Sequence, residues 1–303
     1  MTPSLRISEE VSDAQADQRP VVALESTIFS ALGIPAPASR ECLDRCDAAI
    51  RGGGAVPAIT AVLDGVAVVG VTAAELERVL SGSAKVAARD LPYAAASGLG
   101  VGVTTVSATV TLAAAAGVSV FATGGIGGVH RGADSTFDIS HDLVAMSRHP
   151  VVTVSAGAKA FLDLPATLEY LETLGVPVVG WNTDRFPAFY TRDSGVSVPA
   201  TVRTGAEVAD MVRTASELGH PGGMLIANPI PEADELDPER INDALETALV
   251  DVAAKGLRGP AVTPLVLAAI AEATDGDSIP ANLALAESNA AVAAEIAVAI
   301  AAG

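Results

Sequence analysis

Lysine is scarce in this sequence, with three (Lys85, Lys159, Lys255) against fifteen arginines, so a lysine among apolar residues stands out. Lys159 is such a residue. It ends the run VVTVSAGAK (151–159), where the valines indicate a buried strand and Ser155, Ala156 and Gly157 leave room beside the amine. An amine desolvated there has a lowered pKa and a neutral fraction able to attack a carbonyl or a ring-opened sugar. The same pattern also suits a lysine that snorkels out at a strand end or pairs with a core carboxylate. Glu25 closes a second strand, VVALE (21–25), ahead of Ser26 and Thr27. A carboxyl with apolar neighbours is raised in pKa and serves as a general acid. A carboxylate that caps the following turn leaves the same pattern.

The densest stretch is ATGGIGGVHRGADSTFDISHDL (122–143). Gly124, Gly125, Gly127 and Gly128 let backbone N–H groups approach an anion, and His130 and Arg131 complement its charge. The spacing is neither a dinucleotide fingerprint nor a P-loop. Asp134, Asp138 and Asp142 follow four apart. In a helix the three share a face; in an extended segment Asp138, Ser140 and Asp142 do. Either arrangement could hold a hard divalent cation through one or two carboxylates and water, and either could be solvated surface. Lys85 stands in SAKVAARDLP with Arg89 and Asp90, as a phosphate contact or a surface charge. Cys42 and Cys46, on one face of a helical segment without further ligands nearby, read as core residues.

The elements that position these groups alternate. VVALEST (21–27), VSVFATGG (118–125), VVTVSAGAK (151–159), VPVVGW (176–181) and GGMLIANPIP (222–231) read as strands. Between and after them lie helical stretches: the Cys42 segment, TAAELERVL (72–80) with a Thr72/Glu75 capping box, TTVSATVTLAAAAG (104–117), ATLEYLETLG (166–175), GAEVADMVRTASELG (205–219) and most of the last third. AVPAITAVLDGVAVVGV (55–71) reads as a hairpin turning at Asp64-Gly65. This alternation predicts an α/β fold, three-layer α/β/α around a mixed, largely parallel sheet, with ligands off the strand ends. Residues 1–19 read as an acidic N-terminal arm and candidate disordered tail, and residues 20–303 as a single domain.

With 303 residues, half of them apolar but only 3% aromatic, the core must be built from Ala, Val, Leu and Ile. The net charge of −18 opposes nucleic acid and anionic membrane surfaces as partners, and an anionic substrate needs a local cation. The start carries no apolar signal-peptide core, so a cytoplasmic location is expected.

Taken together, VVALESTI (21–28), GAVPAITAVLDG (54–65), KVAARDLP (85–92), GVTTVSATV (102–110), VFATGGIGGVHRGADSTFDIS (120–140), SAGAKAFLDL (155–164), GGMLIANPIP (222–231) and GDSIPANLALAESNAAVAAEIA (276–297) resemble the pseudouridine-5′-phosphate glycosidase family, which includes indigoidine-synthase-A-like proteins. The resemblance implies reversible conversion of pseudouridine 5′-phosphate and water to uracil and ribose 5-phosphate by a single-domain homotrimer carrying Mn²⁺. It makes Lys159 the nucleophile on the opened ribose, Glu25 the donor of a proton to uracil carbon 5, and Asp138 the metal ligand with water completing the shell. It also makes Lys85, Val106, Ser140, His141 and Asp142 substrate contacts, Asn282 a contact of the base, and Thr123 and His130 phosphate contacts. Two departures bear on substrate preference. The family commonly reads I-S-H-G-M-P after E-S-T-I, whereas here Phe29-Ser30-Ala31-Leu32-Gly33-Ile34-Pro35 lacks the histidine; and His141 stands where relatives often have a smaller residue. A lysine-dependent aldolase or lyase on another phosphosugar, or a non-catalytic accessory protein of pigment biosynthesis, are the competing functions.

Overall fold

Short strands rich in Val, Ala and Leu with no polar alternation must be covered on both faces. The computed structural model, which describes residues 4–256 and 262–303, has that character. In chain order the elements are β1 (Leu5–Ile7), α1 (Glu9–Ala16), β2 (Val21–Leu24), α2 (Ala38–Gly52), β3 (Val56–Leu63), β4 (Val66–Val69), α3 (Ala73–Leu80), β5 (Lys85–Val86), α4 (Leu91–Ala96), β6 (Val101–Thr104), α5 (Val106–Ala115) and β7 (Val120–Ala122). Then come β8 (Val129–His130), α6 (Ala133–Thr136), α7 (His141–Arg148), β9 (Val152–Ser155), β10 (Leu162–Asp163), α8 (Leu164–Thr173), β11 (Val178–Trp181), β12 (Ala200–Val202), α9 (Gly205–Glu217), β13 (Met224–Ala227), α10 (Pro238–Ala254), α11 (Val262–Ala273) and α12 (Ser278–Ala302).

The main sheet runs β1-β4-β3-β2-β7-β9-β13-β11-β12, with β6 attached to β3 and β5 to β6. From β3 to β12 every pairing is parallel. β3 changes partners along its length: Val56–Ile59 run parallel to β2, and the stretch from Thr60 to Leu63 lies antiparallel between β4 and β6. α12 packs on β2, β7 and β9 and is flanked by α2 and α9, while α5 covers β2, β3 and β7 and meets α7. This is the expected mixed, largely parallel three-layer domain.

The hairpin turns at Asp64 and Gly65, both at positive φ (51° and 76°), as its Asp-Gly pair requires. Thr72 and Glu75 form the capping box. Cys42 and Cys46 are buried, free thiols on α2. α12 is long and apolar enough by length and composition to cross a membrane, and 56% of its most apolar window is packed inside the fold. The N-terminal segment departs from expectation. Leu5–Ile7 pair in parallel with β4, and α1 buries Val11 and Ala14 completely, so this stretch is an edge strand and a helix of the domain rather than a tail. Its acidic residues sit on the solvent face of α1, and that face is what the composition reported.

Candidate active site

The register of the central strands places the chemistry. Leu24 pairs with Ala122 and Ala122 with Val154, so Glu25, Thr123 and Ser155 leave the carboxyl ends of three adjacent parallel strands side by side. Lys159 lies four residues further along. Between them Gly157 takes φ +75°, and a Cβ there would stand 2.2 Å from the Pro187 carbonyl oxygen, so only glycine passes. The turn zips the lysine segment to the glycine-rich loop: Ala156 N–H donates to Gly124 O (2.9 Å), Ile126 N–H to Gly157 O (3.0 Å) and Lys159 N–H to Ile126 O (3.1 Å). Glu25, Thr123, Gly124, Lys159, Lys85 and Asn282 then line one cavity of about 590 Å³.

Lys85 arrives from the other strand system. It pairs with Val103 on β6, whose neighbour Thr104 is clasped by the residues after Glu25. Thr104 N–H donates to Ser26 Oγ (2.9 Å), and Thr27 Oγ1 donates to Thr104 O (2.7 Å). Thr60 Oγ1 lies 2.8 Å from Thr104 Oγ1 and 2.9 Å from Thr109 Oγ1, so a buried chain of hydroxyls continues from the residues after Glu25.

Glu25 is 8% exposed, and burial pushes its carboxyl above the usual value; the Lys159 ammonium and the Thr123 hydrogen bond pull the other way, as does Lys85, while Asp142 adds to the rise. Burial and then the nearby Lys159 charge pull the Lys85 amine below its ordinary value. Lys85 keeps an exposed surface all the same. Both hold because it lines an open cavity, so its area is solvent-reachable while protein surrounds its amine. Lys159 is half-buried. The arrangement sets beside two lysines an acid that holds its proton more firmly than usual, which suits proton delivery to a carbon and anchoring of an anion.

A second group borders the cavity wall rather than lining it. Val106 is the first residue of α5 and is buried. Asp142, buried at the start of α7, accepts from Ser107 N–H (2.8 Å) and Gly127 N–H (2.9 Å), which ties the α5 N-terminus to the glycine-rich loop. Ser140 caps α7 through Asp142 N–H (3.2 Å), and His141 is its first residue. His130 stands 5.9 Å from the Phe161 ring, and burial pulls its imidazole below the usual value, with the Asp138 carboxylate opposing at 3.8 Å. Asp134 is in α6 and exposed, Asp138 precedes an extended segment, and Asp142 turns inward. The three carboxylates therefore share neither a helical nor an extended face. Among the described residues no group of three or more His, Cys, Asp or Glu could enclose a metal. The part-exposed Asp138 carboxylate, with His130 beside it, fits a hard cation that keeps most of its water, and no closed cage.

Thr123, a phosphate contact by resemblance, donates its hydroxyl to Glu25 Oε1. Asn282 donates to Tyr190 Oη (2.9 Å) at the cavity edge. The wall from Phe189 and Tyr190 was not foreseen. It comes from the long loop between β11 and β12, where Phe189 takes φ 68° and its ring stands edge-on to Tyr190 at 4.8 Å. Burial raises the Tyr190 hydroxyl's pKa. A signal was present: Phe186, Phe189 and Tyr190 fall within five residues of a chain with only six Phe and three Tyr. The Asn289 and Asn228 side chains behind Thr123 were also missed, and no local pattern marks them.

The sequence profile described as indigoidine synthase A like protein matches residues 10–299. Curated relatives named pseudouridine-5′-phosphate glycosidase include that of Caldanaerobacter subterraneus subsp. tengcongensis, 49% identical over 294 residues (96% of this chain, 95% of that one). The one from Chloroflexus aurantiacus is 50% identical over 302 residues (98% of each). Among solved structures, the prealnumycin C-glycosynthase AlnA in complex with ribulose 5-phosphate is similar with a TM-score of 0.92 at 39% identity, covering 100% of this chain and 98% of that one. The indigoidine synthase A-like protein of Thermotoga maritima gives 0.88 at 36% identity, with 98% and 96% covered. With the match running through Glu25, Lys159 and nearly the whole fold, the chain belongs to the indigoidine synthase A like family.

Proposed function

We propose that this chain cleaves the carbon–carbon glycosidic bond of pseudouridine 5′-phosphate, reversibly, to uracil and ribose 5-phosphate. The observation that carries the reading is the convergence of a buried glutamate and two lysines on one cavity at the carboxyl ends of parallel strands, in a chain about half identical to relatives of that name.

A carbon leaving group cannot be released by protonating a glycosidic oxygen as in ordinary glycosidases. It needs an electron donor at the sugar's first carbon, to hold the positive charge left there when the bonding pair departs with uracil. The ribose ring opens as its ring oxygen leaves that carbon and takes the proton that the Lys159 ammonium gives up, and the freed amine bonds there and loses a second proton to solvent. Glu25 then protonates uracil carbon 5 as the carbon–carbon bond breaks, and the nitrogen lone pair closes the iminium. Water adds to the iminium, freeing Lys159 and the sugar aldehyde, and Glu25 recovers a proton from solvent. Lys85 supplies the local cation that an anionic substrate needs in a chain of net charge −18. The α5 N-terminus with Val106, together with Ser140, His141, Asp142 and His130, shapes the phosphate end, and Asn282 meets the base. Similarity to a C-glycosynthase supports use of the same machinery in the bond-forming direction.

We assign a Mn²⁺ ion to Asp138, with water filling most of its shell. Bound there, it adds positive charge beside the phosphate end. Asp138→Ala should lower the metal retained after dialysis, read by elemental analysis, and a chelator should lower turnover of the parent. We also assign a homotrimer, supported by the family resemblance; sedimentation equilibrium giving a monomer would remove that assignment.

The direct test is uracil release from pseudouridine 5′-phosphate. Borohydride added during turnover should trap a sugar adduct on the Lys159 peptide, and Lys159→Ala should lose both adduct and turnover. Parental activity in that variant would overturn the mechanism.

A further inference from the structure

Glu25 has one side-chain hydrogen bond among the described residues, from Thr123 Oγ1 to its Oε1. Its other oxygen has none, yet it is not sealed off, because the only buried described side-chain polar atoms without a partner are Thr153 Oγ1 and His220 Nε2. Oε2 is therefore reached from the cavity that Glu25 lines.

Thr123 has little freedom of its own. Its N–H donates to Val154 O (3.0 Å), and its carbonyl accepts from Asn289 Nδ2 (2.8 Å), which also stands 3.3 Å from Gly124 O. Asn289 is fully buried, and its amide has one orientation because its Oδ1 accepts from Asn228 Nδ2 (2.9 Å). Asn228 in turn donates to Ser288 Oγ (3.0 Å), and its backbone N–H donates to Ser155 O (2.9 Å). Thus β9, the end of β13 and α12 fix the backbone of Thr123 before its hydroxyl finds an acceptor.

That hydroxyl carries a single hydrogen. A proton on Oε1 makes that oxygen a poorer acceptor and, pointing at Thr123, forces the hydroxyl to turn round, whereas a proton on Oε2 leaves every bond in this chain intact. We infer that Thr123, braced by Asn289 and Asn228, is a positioning residue that reserves Oε1 of Glu25 and makes Oε2 the oxygen from which the proton is delivered into the cavity. The inference rests on Glu25 being the proton donor of the proposed reaction. Three charged groups act on this carboxyl: Lys159 and Lys85 favour its anion and Asp142 opposes it, with burial prevailing. The Thr123 bond works with the lysines, so losing it moves the carboxyl further up.

The test is an infrared titration of the protonated-carboxyl band that disappears in Glu25→Gln, since it reads Glu25 whether or not the enzyme turns over. In Thr123→Val the band should shift in frequency and persist to higher pH by about one unit, the size expected for one hydrogen bond to a charged group. Thr123→Ser should restore the parental titration. In turnover, Thr123→Val should lower kcat by about tenfold or more with KM little changed, and the limb of the pH profile that belongs to Glu25 should move with the band. Thr123→Ala gives the same reading should the valine variant not fold. An unchanged Glu25 band and titration in a folded variant lacking the hydroxyl would overturn the inference. A band that moves in a protein releasing no uracil would sink the proposed function and leave the positioning role standing.

Discussion

Asp142 commits both carboxylate oxygens to backbone N–H groups, Ser107 on one side and Gly127 on the other. It works as a brace between the α5 N-terminus and the glycine-rich loop, and Asp142→Ala should cost about 3 kcal/mol in urea unfolding, because two charge-assisted bonds are lost where water is excluded. Gly127 belongs to the same joint. A Cβ there would lie 2.4 Å from Ser140 Oγ and 2.8 Å from Asp142 Oδ2, so Gly127→Ala should displace the α7 cap and lower both stability and activity. Glu25 makes a further prediction with a definite sign. Its folded pKa is raised, so the native state holds a proton that the unfolded chain has already lost, and the group increasingly opposes folding as pH rises from the ordinary value of 4.5 through the folded one. Glu25→Gln should therefore raise the unfolding temperature at neutral pH, and the gain should shrink as pH is lowered; a gain independent of pH would contradict this origin. Glu25 and Lys159 were legible as candidates because an acid follows one apolar strand directly and a rare lysine follows another after a short small-residue turn. The Thr123 hydroxyl on Glu25 was not, because its direction is set by Asn289 some 166 residues away.

Among the elements, α12 ties the site to both the sheet and the helical layer. It packs on β2, β7 and β9 and between α2 and α9, and it contributes Asn289 to the brace and Asn282 to the cavity rim. Its closeness depends on alanine: Ala290, Ala293 and Ala294 are buried, and a Cβ on Gly53 would stand 2.7 Å from the Ala294 Cβ. Ala290→Leu should thus cost about 1–3 kcal/mol by overpacking, and it should lower turnover as well, because Asn289 would shift with the helix. A loss of stability with full turnover would separate α12 from the site. Elements with local signals were readable: the Asp64-Gly65 hairpin, the Thr72 capping box, and the Ala/Val-rich α5. The two-residue strands β5, β8 and β10 were not, since each exists only through a partner far along the chain, and a run as short as Lys85-Val86 has no period to detect.

At the scale of the molecule, residues 4–16 extend the sheet and cover its edge. Removing residues 1–16 should bare β4 along Ala67, Val68 and Val69, lowering the unfolding temperature and promoting self-association in light scattering. An acidic composition could not announce this, because only Val11 and Ala14 of α1 face inward. The fold class was legible from the alternation of strands and helices. Recognition of the reaction needed the long ordered motifs, since the isolated residues left structural readings open. One feature of the sheet reaches beyond the fold. Glu25 and Lys159 follow the ends of the parallel strands β2 and β9, and Lys85 stands on the offshoot of β3, and the two systems are bolted together by the hydroxyls of Ser26, Thr60 and Thr104. The gap between Glu25 and Lys85 is a calliper with a locked jaw: in the proposed reaction it would gauge the span of a molecule from its anion to its scissile carbon before any of its surface is read.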